Sequence, residues 1–230
     1  AGAGITVEIT AASVGLGLAI GVIVSLIRLC GIRALRILGD IYVTFLRGTP
    51  LLVQIFLVYF ALPALIHHRV DAYVAAISAC SINSGAYVAE IFRGGIESID
   101  KGQMEAGRSL GMTWWQTMRH IILPQAFRKI VPTLMSQVIT IIKDTSFMAN
   151  VATIELMARV NKVLSGAALY NGTGTINVSD VFVLFGFAAL VYFVINYTLS
   201  CAVRHVQAGL EREGVTEPVA EMPANVEMAK

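Results

Sequence analysis

The stretch MEAGRSLGMTWWQTMRHIILP, residues 104–124, combines helical spacing with four charged or titratable side chains, and it lies between segments apolar enough to cross a bilayer. Of the 230 residues in the chain, 56% are hydrophobic and 14% are charged. A soluble domain carries about 25% charged residues. The composition therefore predicts a membrane protein, and the net charge of +2 is too small to indicate a nucleic-acid partner.

Local signals divide this region into two short helices. Asp100 and Gln103 have the spacing of an N-cap and its capping-box partner, and Gly111 is a natural residue to follow a helix end. The first helix is therefore expected between Asp100 and Gly111. Thr113 begins the same capping pattern again, and Pro124 predicts that the second helix ends before it.

The two predicted helices carry different surfaces. Met104, Gly107 and Leu110 share one face of the first helix beside Ala106, and this small-residue patch allows another protein to approach closely. The second helix carries side chains that suit the membrane interface: Trp114, Trp115, Met118 and Ile122. From these residues alone, the segment is either a docking helix or an amphipathic brace that only stiffens a loop.

Five segments have the roughly 20 apolar residues that a helix needs to cross a bilayer. These predicted spans cover residues 5–27, 38–62, 72–92, 127–151 and 181–203. We therefore predict an all-α, polytopic membrane protein in which residues 1–205 form a single transmembrane domain. The link over residues 93–126 is expected to be a cytoplasmic loop, and residues 206–230 a disordered cytoplasmic tail.

Basic residues set the expected orientation. The link after the first span holds Arg28, Arg33 and Arg36 against Asp40, and the link from Arg93 to Lys129 holds six Lys and Arg residues against three acids. Both links are expected on the cytoplasmic side by the positive-inside rule. This orientation places the N-terminus outside the cell and the C-terminus inside.

The second predicted span contains an unusual interruption, Arg47-Gly48-Thr49-Pro50. Gly-Thr-Pro breaks backbone hydrogen bonding at a depth where lipid cannot replace it, so the break must face protein or a water-filled cavity. In the alternative interpretation, Arg47 extends to the cytoplasmic interface and a helix simply starts at Pro50. The sequence leaves both interpretations open.

The third and fourth spans also carry polar residues that a simple anchor would not tolerate. Asn83, Tyr87 and Glu90 recur at helical spacing and share one face, which can line a polar path or bond to another helix. The fourth span contains KDTS, residues 143–146. Charges inside a membrane are costly unless paired, so these residues either serve function or pair structurally with Glu155 or Arg47.

The sequence contains no GxxxxGK[ST] phosphate loop, no HExxH and no GxSxG. We therefore predict no catalytic, metal-binding or cofactor-binding residues, and we expect the three cysteines to be apolar packing residues. An autonomous ion-coupled carrier is an alternative, suggested by Lys143, Asp144 and the broken second span. Such carriers are built from inverted repeats, and the sequence shows no convincing internal repeat.

The spacing in the opening stretch resembles that of a known family. Glu105-Ala106-Gly107 is followed after three residues by Gly111, and after nine more by Ile121-Ile122-Leu123-Pro124. This resembles the EAA loop of ABC-importer permeases, E-A-A-x3-G-x9-I-x-L-P, with Gly107 replacing the second Ala. The segments RGTPLLVQIFLVYFALP, NSGAYVAEIFRGGIESIDKGQ and KDTSFMANVATIEL are similar to permeases of the polar amino-acid type, for histidine, glutamine or arginine uptake.

The resemblance implies a permease subunit of an ATP-driven amino-acid importer in the bacterial cytoplasmic (inner) membrane, working by alternating access. It implies that a cytoplasmic ABC ATPase binds the ATP and docks on Glu105, Ala106, Gly107, Leu110 and Gly111. A second permease subunit, identical or different, and an extracytoplasmic amino-acid-binding protein are the other implied partners, beside membrane lipid. The candidate substrate-path residues are Arg47, Thr49, Asn83, Tyr87, Asp144, Thr145 and Glu155.

Overall fold

Every regular element is a helix in the part of the chain that the computed structural model describes, residues 2–151, 153, 155–170 and 176–212. In chain order, the α-helices are α1 Gly2–Leu29, α2 Arg33–Gly48, α3 Leu51–Phe56, α4 Leu62–Ile66, α5 Ala72–Glu97, α6 Lys101–Ser109, α7 Trp114–Thr117, α8 Leu123–Asp144, α9 Leu156–Tyr170 and α10 Val178–Arg212. Two π-helical turns, Leu57–Ala61 and Met118–Ile122, and a 3-10 helix, Thr145–Val151, join some of them. The predicted all-α class is confirmed.

Helices α1 and α5 pack closely because small residues line the seam between them. A Cβ atom built on Gly21 of α1 would lie only 2.3 Å from Cγ1 of Val88. The Ser25 hydroxyl donates a hydrogen bond across the same seam to the Ala89 carbonyl, at 3.2 Å. This packing fixes the position of α5, which carries several of the candidate site residues.

A buried apolar cluster joins α1, α3, α5 and the 3-10 helix. Ile9, Ile55 and Met148 are fully buried in this cluster, and Cys80 packs among them with only 3% of its surface exposed. The prediction that Cys80 is an apolar packing residue is therefore confirmed.

The second predicted span is broken in the structure. Helix α2 and the helical segment Leu51–Ile66 are bent by 107° relative to each other. Thr49 and Pro50 between them are extended, because proline lacks an N–H group and disfavours helical geometry in the residue before it. The predicted break inside residues 38–62 is confirmed, and its two sides form separate helices.

Three helices of the described part are long and apolar enough to cross a membrane: α1, α5 and the segment Val178–Gly209 of α10. The bent pair, Arg33–Gly48 with Leu51–Ile66, would be a fourth crossing if it is one span. Helix α8 covers most of the remaining predicted span, but it is not one of these three helices. The predicted count of five spans therefore stays a prediction.

Helix α10 extends beyond the end of the predicted fifth span at residue 203 and reaches Arg212. The expectation of a disordered tail is therefore wrong for residues 206–212. The sequence VRHVQAGLER, residues 203–212, contains no proline, and most of its residues favour helix, so the helix has no local reason to stop at the predicted boundary. Residues 213–230 lie outside the described residues.

Candidate functional site

A polar cleft of about 270 Å³ lies where the end of α2 meets α5 and α8. Two of the predicted path residues, Arg47 and Tyr87, line it, and the guanidinium carbon of Arg47 is 5.5 Å from the centre of the Tyr87 ring. The Glu90 carboxylate also lines the cleft, with Oε1 3.6 Å from Nη1 of Arg47. Helix α8 supplies four further polar side chains: Thr133, Ser136, Gln137 and Thr140.

Glu90 is the centre of an ion-pair network that joins α1, α2 and α5. Nη1 of Arg28 lies 2.9 Å from Glu90 Oε2, while Nε of the same Arg28 lies 2.7 Å from Asp40. Arg93 donates to both Glu90 oxygens from one turn further along α5. Arg47 is the loosest of the three arginine partners, so Glu90 stays neutralised even when Arg47 moves away.

The break after α2 is held together by Gln54, a residue that the sequence reasoning missed. Its amide nitrogen donates to the Leu46 carbonyl and to the Thr49 hydroxyl, both at 2.8 Å, and Asn83 donates to its carbonyl oxygen at 3.0 Å. Thr49 and Asn83, both predicted for the substrate path, are thus used to satisfy the broken backbone. The available signal was an amide in an otherwise apolar run, shortly after Pro50.

Glu155, another predicted path residue, is completely buried and lies apart from the cleft. Its carboxylate accepts hydrogen bonds from the backbone N–H groups of Met157 and Ala158, both at 2.7 Å, and from the Tyr192 hydroxyl at 3.1 Å. Burial raises the pKa of the Glu155 carboxyl above its usual range, although these three donors oppose the shift. The contacts give Glu155 a structural role at the start of α9, and its assignment to the substrate path stays a prediction.

Asp144 and Thr145 lie beyond the cleft at the end of α8, one turn after its last lining residue, Thr140. Thr145 is fully buried and donates to the Ile142 carbonyl at 2.7 Å. Among the described residues, no salt bridge involves Lys143 or Asp144, so the predicted alternative of structural pairing has no support there. Neither Asp144 nor Thr145 contributes to the polar cleft.

The predicted first helix of the loop is α6, and its N-cap and its C-terminal glycine are confirmed, whereas Gln103 accepts a hydrogen bond from Gln125 at 3.4 Å and does not form the predicted capping box. Asp100 caps it by accepting a hydrogen bond from the Gly102 N–H at 2.6 Å. At the other end, Gly111 has a φ of 84°, and the Met112 N–H bonds to the Gly107 carbonyl at 3.1 Å, which together form a Schellman motif. Glycine takes this backbone conformation without strain.

The second helix starts as predicted, but its predicted end is wrong. Thr113 and Gln116 form both hydrogen bonds of a capping box. The helix then passes through the π-helical turn directly into α8, with Pro124 in the first turn of α8. The N–H of Leu123 reaches back to the Met118 carbonyl, and this wider turn accommodates the missing proline donor without ending the helix.

The predicted docking residues do not all face outward. Glu105, Ala106 and Leu110 are exposed, and Leu110 has 82% of its surface exposed. Gly107 is buried instead, and a Cβ atom on it would lie 2.6 Å from Cγ2 of Thr117. Gly107 therefore offers no exposed surface in this chain, because α6 folds back and packs this face against α7, and its assignment to the docking surface stays a prediction.

The interfacial face predicted for the second helix is also only partly present. Trp114 and Trp115 are exposed and form an edge-to-face pair, with ring centres 4.7 Å apart. Met118 and Ile122 pack inward, against a buried cluster that includes Ile130. The prediction that all four side chains face the membrane interface is therefore wrong for these two.

The described part of the chain is all-helical and contains a broken helix at a polar cleft. An exposed, capped helix lies between its long helices. This is the organisation of a transport permease. Residues 13–212 match the family described as binding-protein-dependent transport system inner membrane component, and the chain belongs to this family. It is thus an inner-membrane transport component, and the resemblance to ABC-importer permeases is confirmed.

Individual relatives agree with the family assignment. The chain is 35% identical to the arginine transport system permease protein ArtQ of Bacillus subtilis, over 91% of each chain. It is 39% identical to the probable glutamine ABC transporter permease protein GlnM of the same organism, over 84% of each chain. Among solved structures, it matches an amino acid ABC transporter crystallised with histidines at a TM-score of 0.80 and 31% identity, over 90% of this chain and 92% of the other.

Proposed function

We propose that this chain is the permease subunit of an ABC importer that moves polar or charged amino acids into the cell. The observation that carries the proposal is the cleft in which Arg47, Tyr87 and Glu90 face the hydroxyl and amide groups of α8. The amino-acid transport named for the relatives supports the same class of substrate.

The energy for transport comes from a separate ABC ATPase, which binds the ATP, so the permease needs no cofactor of its own. The ATPase docks on the exposed part of α6 and the turn after it, that is Glu105, Ala106, Leu110 and Gly111. These residues are exposed, and caps at both ends of α6 fix the conformation of the helix. A contact that transmits movement between subunits requires such a helix. The loop that contains them lies in the cytoplasm, which places the N-terminus outside and the C-terminus inside.

A second permease subunit, identical or different, completes the membrane part, and an extracytoplasmic binding protein delivers the amino acid. Closing and opening of the ATPase pair switches the permease pair between inward-facing and outward-facing states. The substrate passes the cleft at Arg47 and Tyr87, while Thr49 and Asn83 maintain the shape of the neighbouring helix break.

Reconstitution in liposomes tests this proposal. The chain is reconstituted with its ATPase, partner permease and binding protein, and uptake of labelled L-arginine, L-glutamine and L-histidine is measured with ATP enclosed. We expect uptake of at least one of them that requires ATP hydrolysis. A sodium or proton gradient without the ATPase is the control, and uptake driven by such a gradient alone would show that the chain is an ion-coupled carrier instead.

A further inference from the structure

The two sides of the polar cleft differ in their unused hydrogen-bonding groups. On the α2 side, the Arg47 side chain is 41% exposed, and its guanidinium contacts the Tyr87 ring face and approaches Glu90 loosely at 3.6 Å. Within the described residues, the Arg47 side chain makes no hydrogen bond. A guanidinium carries five N–H donors and no acceptor, so this side of the cleft presents a cation with unused donors.

The α8 side presents acceptors. Thr133, Ser136 and Thr140 each donate their hydroxyl hydrogen to the backbone carbonyl four residues earlier, at 3.2, 3.1 and 3.4 Å. A hydroxyl that has donated its hydrogen keeps its oxygen lone pairs, which can accept from a ligand. Gln137 on the same wall adds an amide oxygen. This side of the cleft is therefore suited to an ammonium group.

We infer that the cleft binds an amino-acid zwitterion in one orientation, with its α-carboxylate on Arg47 and its α-ammonium on the hydroxyl wall of α8. The inference rests on the proposed function and adds which group of the substrate each wall recognises. Planar guanidinium groups pair with carboxylates through two parallel hydrogen bonds, which gives direction as well as affinity. The substrate side chain is then left to point along the cleft.

Glu90 completes this arrangement as the partner of Arg47 in the empty cleft. A substrate carboxylate competes with Glu90 for Arg47, and Glu90 keeps Arg28 and Arg93 as partners when Arg47 turns towards the substrate. The exchange therefore leaves no unpaired carboxylate in the cleft. Molecules that lack either the carboxylate or the ammonium lose one of the two contacts and bind more weakly.

Binding to the purified permease–ATPase complex without the binding protein tests this orientation, because the discrimination then comes from the permease alone. The ligands are labelled L-arginine or L-glutamine, the corresponding amine without a carboxylate (agmatine or 4-aminobutanamide), and the corresponding acid without an ammonium (guanidinovaleric or glutaramic acid). Arg47→Gln should weaken binding of the amino acid and of the acid by about 10- to 100-fold and leave binding of the amine unchanged.

The opposite wall gives an independent measurement. The double variant Ser136→Ala, Thr140→Val should weaken binding of the amino acid and the amine, and leave binding of the acid unchanged. Arg33→Gln is the matched control for Arg47→Gln, since Arg33 begins the same helix, is exposed and does not line the cleft. Equal losses for all three ligands in either cleft variant, or no loss in both, would overturn the proposed orientation.

The outcomes also separate this inference from the proposed function. If the wild-type complex neither binds nor transports any of the amino acids, the proposed function itself is wrong and the orientation fails with it. If the wild-type complex transports an amino acid but Arg47→Gln keeps the wild-type preference for the amino acid over the amine, only the assignment of Arg47 is wrong. Comigration of each variant with the ATPase in size-exclusion chromatography shows that it is assembled.

Discussion

Gly107 is the position where this chain departs from the EAA pattern. The structure predicts how replacing Gly107 by alanine changes the stability of the protein. A Cβ atom at residue 107 would lie 2.6 Å from Cγ2 and 2.8 Å from Oγ1 of Thr117, and 3.2 Å from Cδ1 of Ile121. Thr117 is completely buried, and its hydroxyl donates to the Thr113 carbonyl at 3.1 Å. This short, branched side chain has no open space into which it can turn.

Two opposing contributions determine the result of Gly107→Ala. Overpacking a filled site costs about 1–3 kcal/mol, and replacing glycine by alanine in a helix gains about 1 kcal/mol. The single substitution should therefore leave stability unchanged or lower it by up to about 2 kcal/mol. In a Thr117→Ala background, both atoms nearest to the new methyl group are absent, so Gly107→Ala should stabilise by about 1 kcal/mol.

A double-mutant cycle measures this difference. The apparent Tm of the purified complex is compared for wild type, each single variant and the double variant, and Gly107→Ala should be more favourable in the Thr117→Ala background by about 1–3 kcal/mol. Co-purification of the ATPase from the membrane is the second measurement, and it should follow the Tm because Gly107 faces α7. The packing argument would be refuted if Gly107→Ala changed the Tm equally in both backgrounds.

Substitutions at three further positions test the helix break, the buried carboxylate and the docking surface. Gln54→Leu should lower the apparent Tm and cost about 1–3 kcal/mol of stability, because the Leu46 carbonyl and the Asn83 amide are then left with only their long 3.5 Å hydrogen bond to each other; a Tm equal to that of wild type would contradict this. Glu155→Ala should lower the Tm more than Glu155→Gln, because Gln keeps one acceptor for the backbone N–H groups at the start of α9. The stabilities of the two variants should differ by about 1 kcal/mol. Equal Tm values would show that the hydrogen bonds do not matter. Glu105→Lys should abolish co-purification of the ATPase while membrane insertion is kept, and Glu105→Gln should have a smaller effect; retained co-purification with Glu105→Lys would exclude this docking site.

Features that depend on neighbouring residues could be predicted from the sequence. The cap at Asp100, the capping box at Thr113 and the left-handed Gly111 each require only three or four consecutive residues with the right side chains. The break at Pro50 is local in the same way, because a missing N–H and a restricted preceding residue act on the backbone directly. For these positions, the local preference and the final fold agree.

Features that depend on residues distant in the chain could not be predicted in the same way. The spacing of Asn83 and Glu90 indicated a polar face of α5, but it did not show that Asn83 would bond to Gln54 or that Glu90 would bond to Arg28. The inward position of Gly107 likewise depends on how the chain reverses after α6, which the residues of α6 do not determine. The sequence therefore indicated which residues are polar and unusual, but not which of them share a cleft.

The wrongly predicted helix end at Pro124 has a consequence for how movement reaches the cleft. Had the helix ended there, a flexible joint would separate the docking helix from α8. Because the π-helical turn carries the helix through Pro124, α7 and α8 are helically continuous, with Pro132 inside α8, and α6 packs against the start of this helix at Gly107 and Thr117. The cleft wall at Thr133 lies eleven residues beyond Ile122 on this helix, about 17 Å at the helical rise. If the ATPase docks on α6 as we propose, a displacement of α6 should move the α8 side of the cleft relative to Arg47, which belongs to α2.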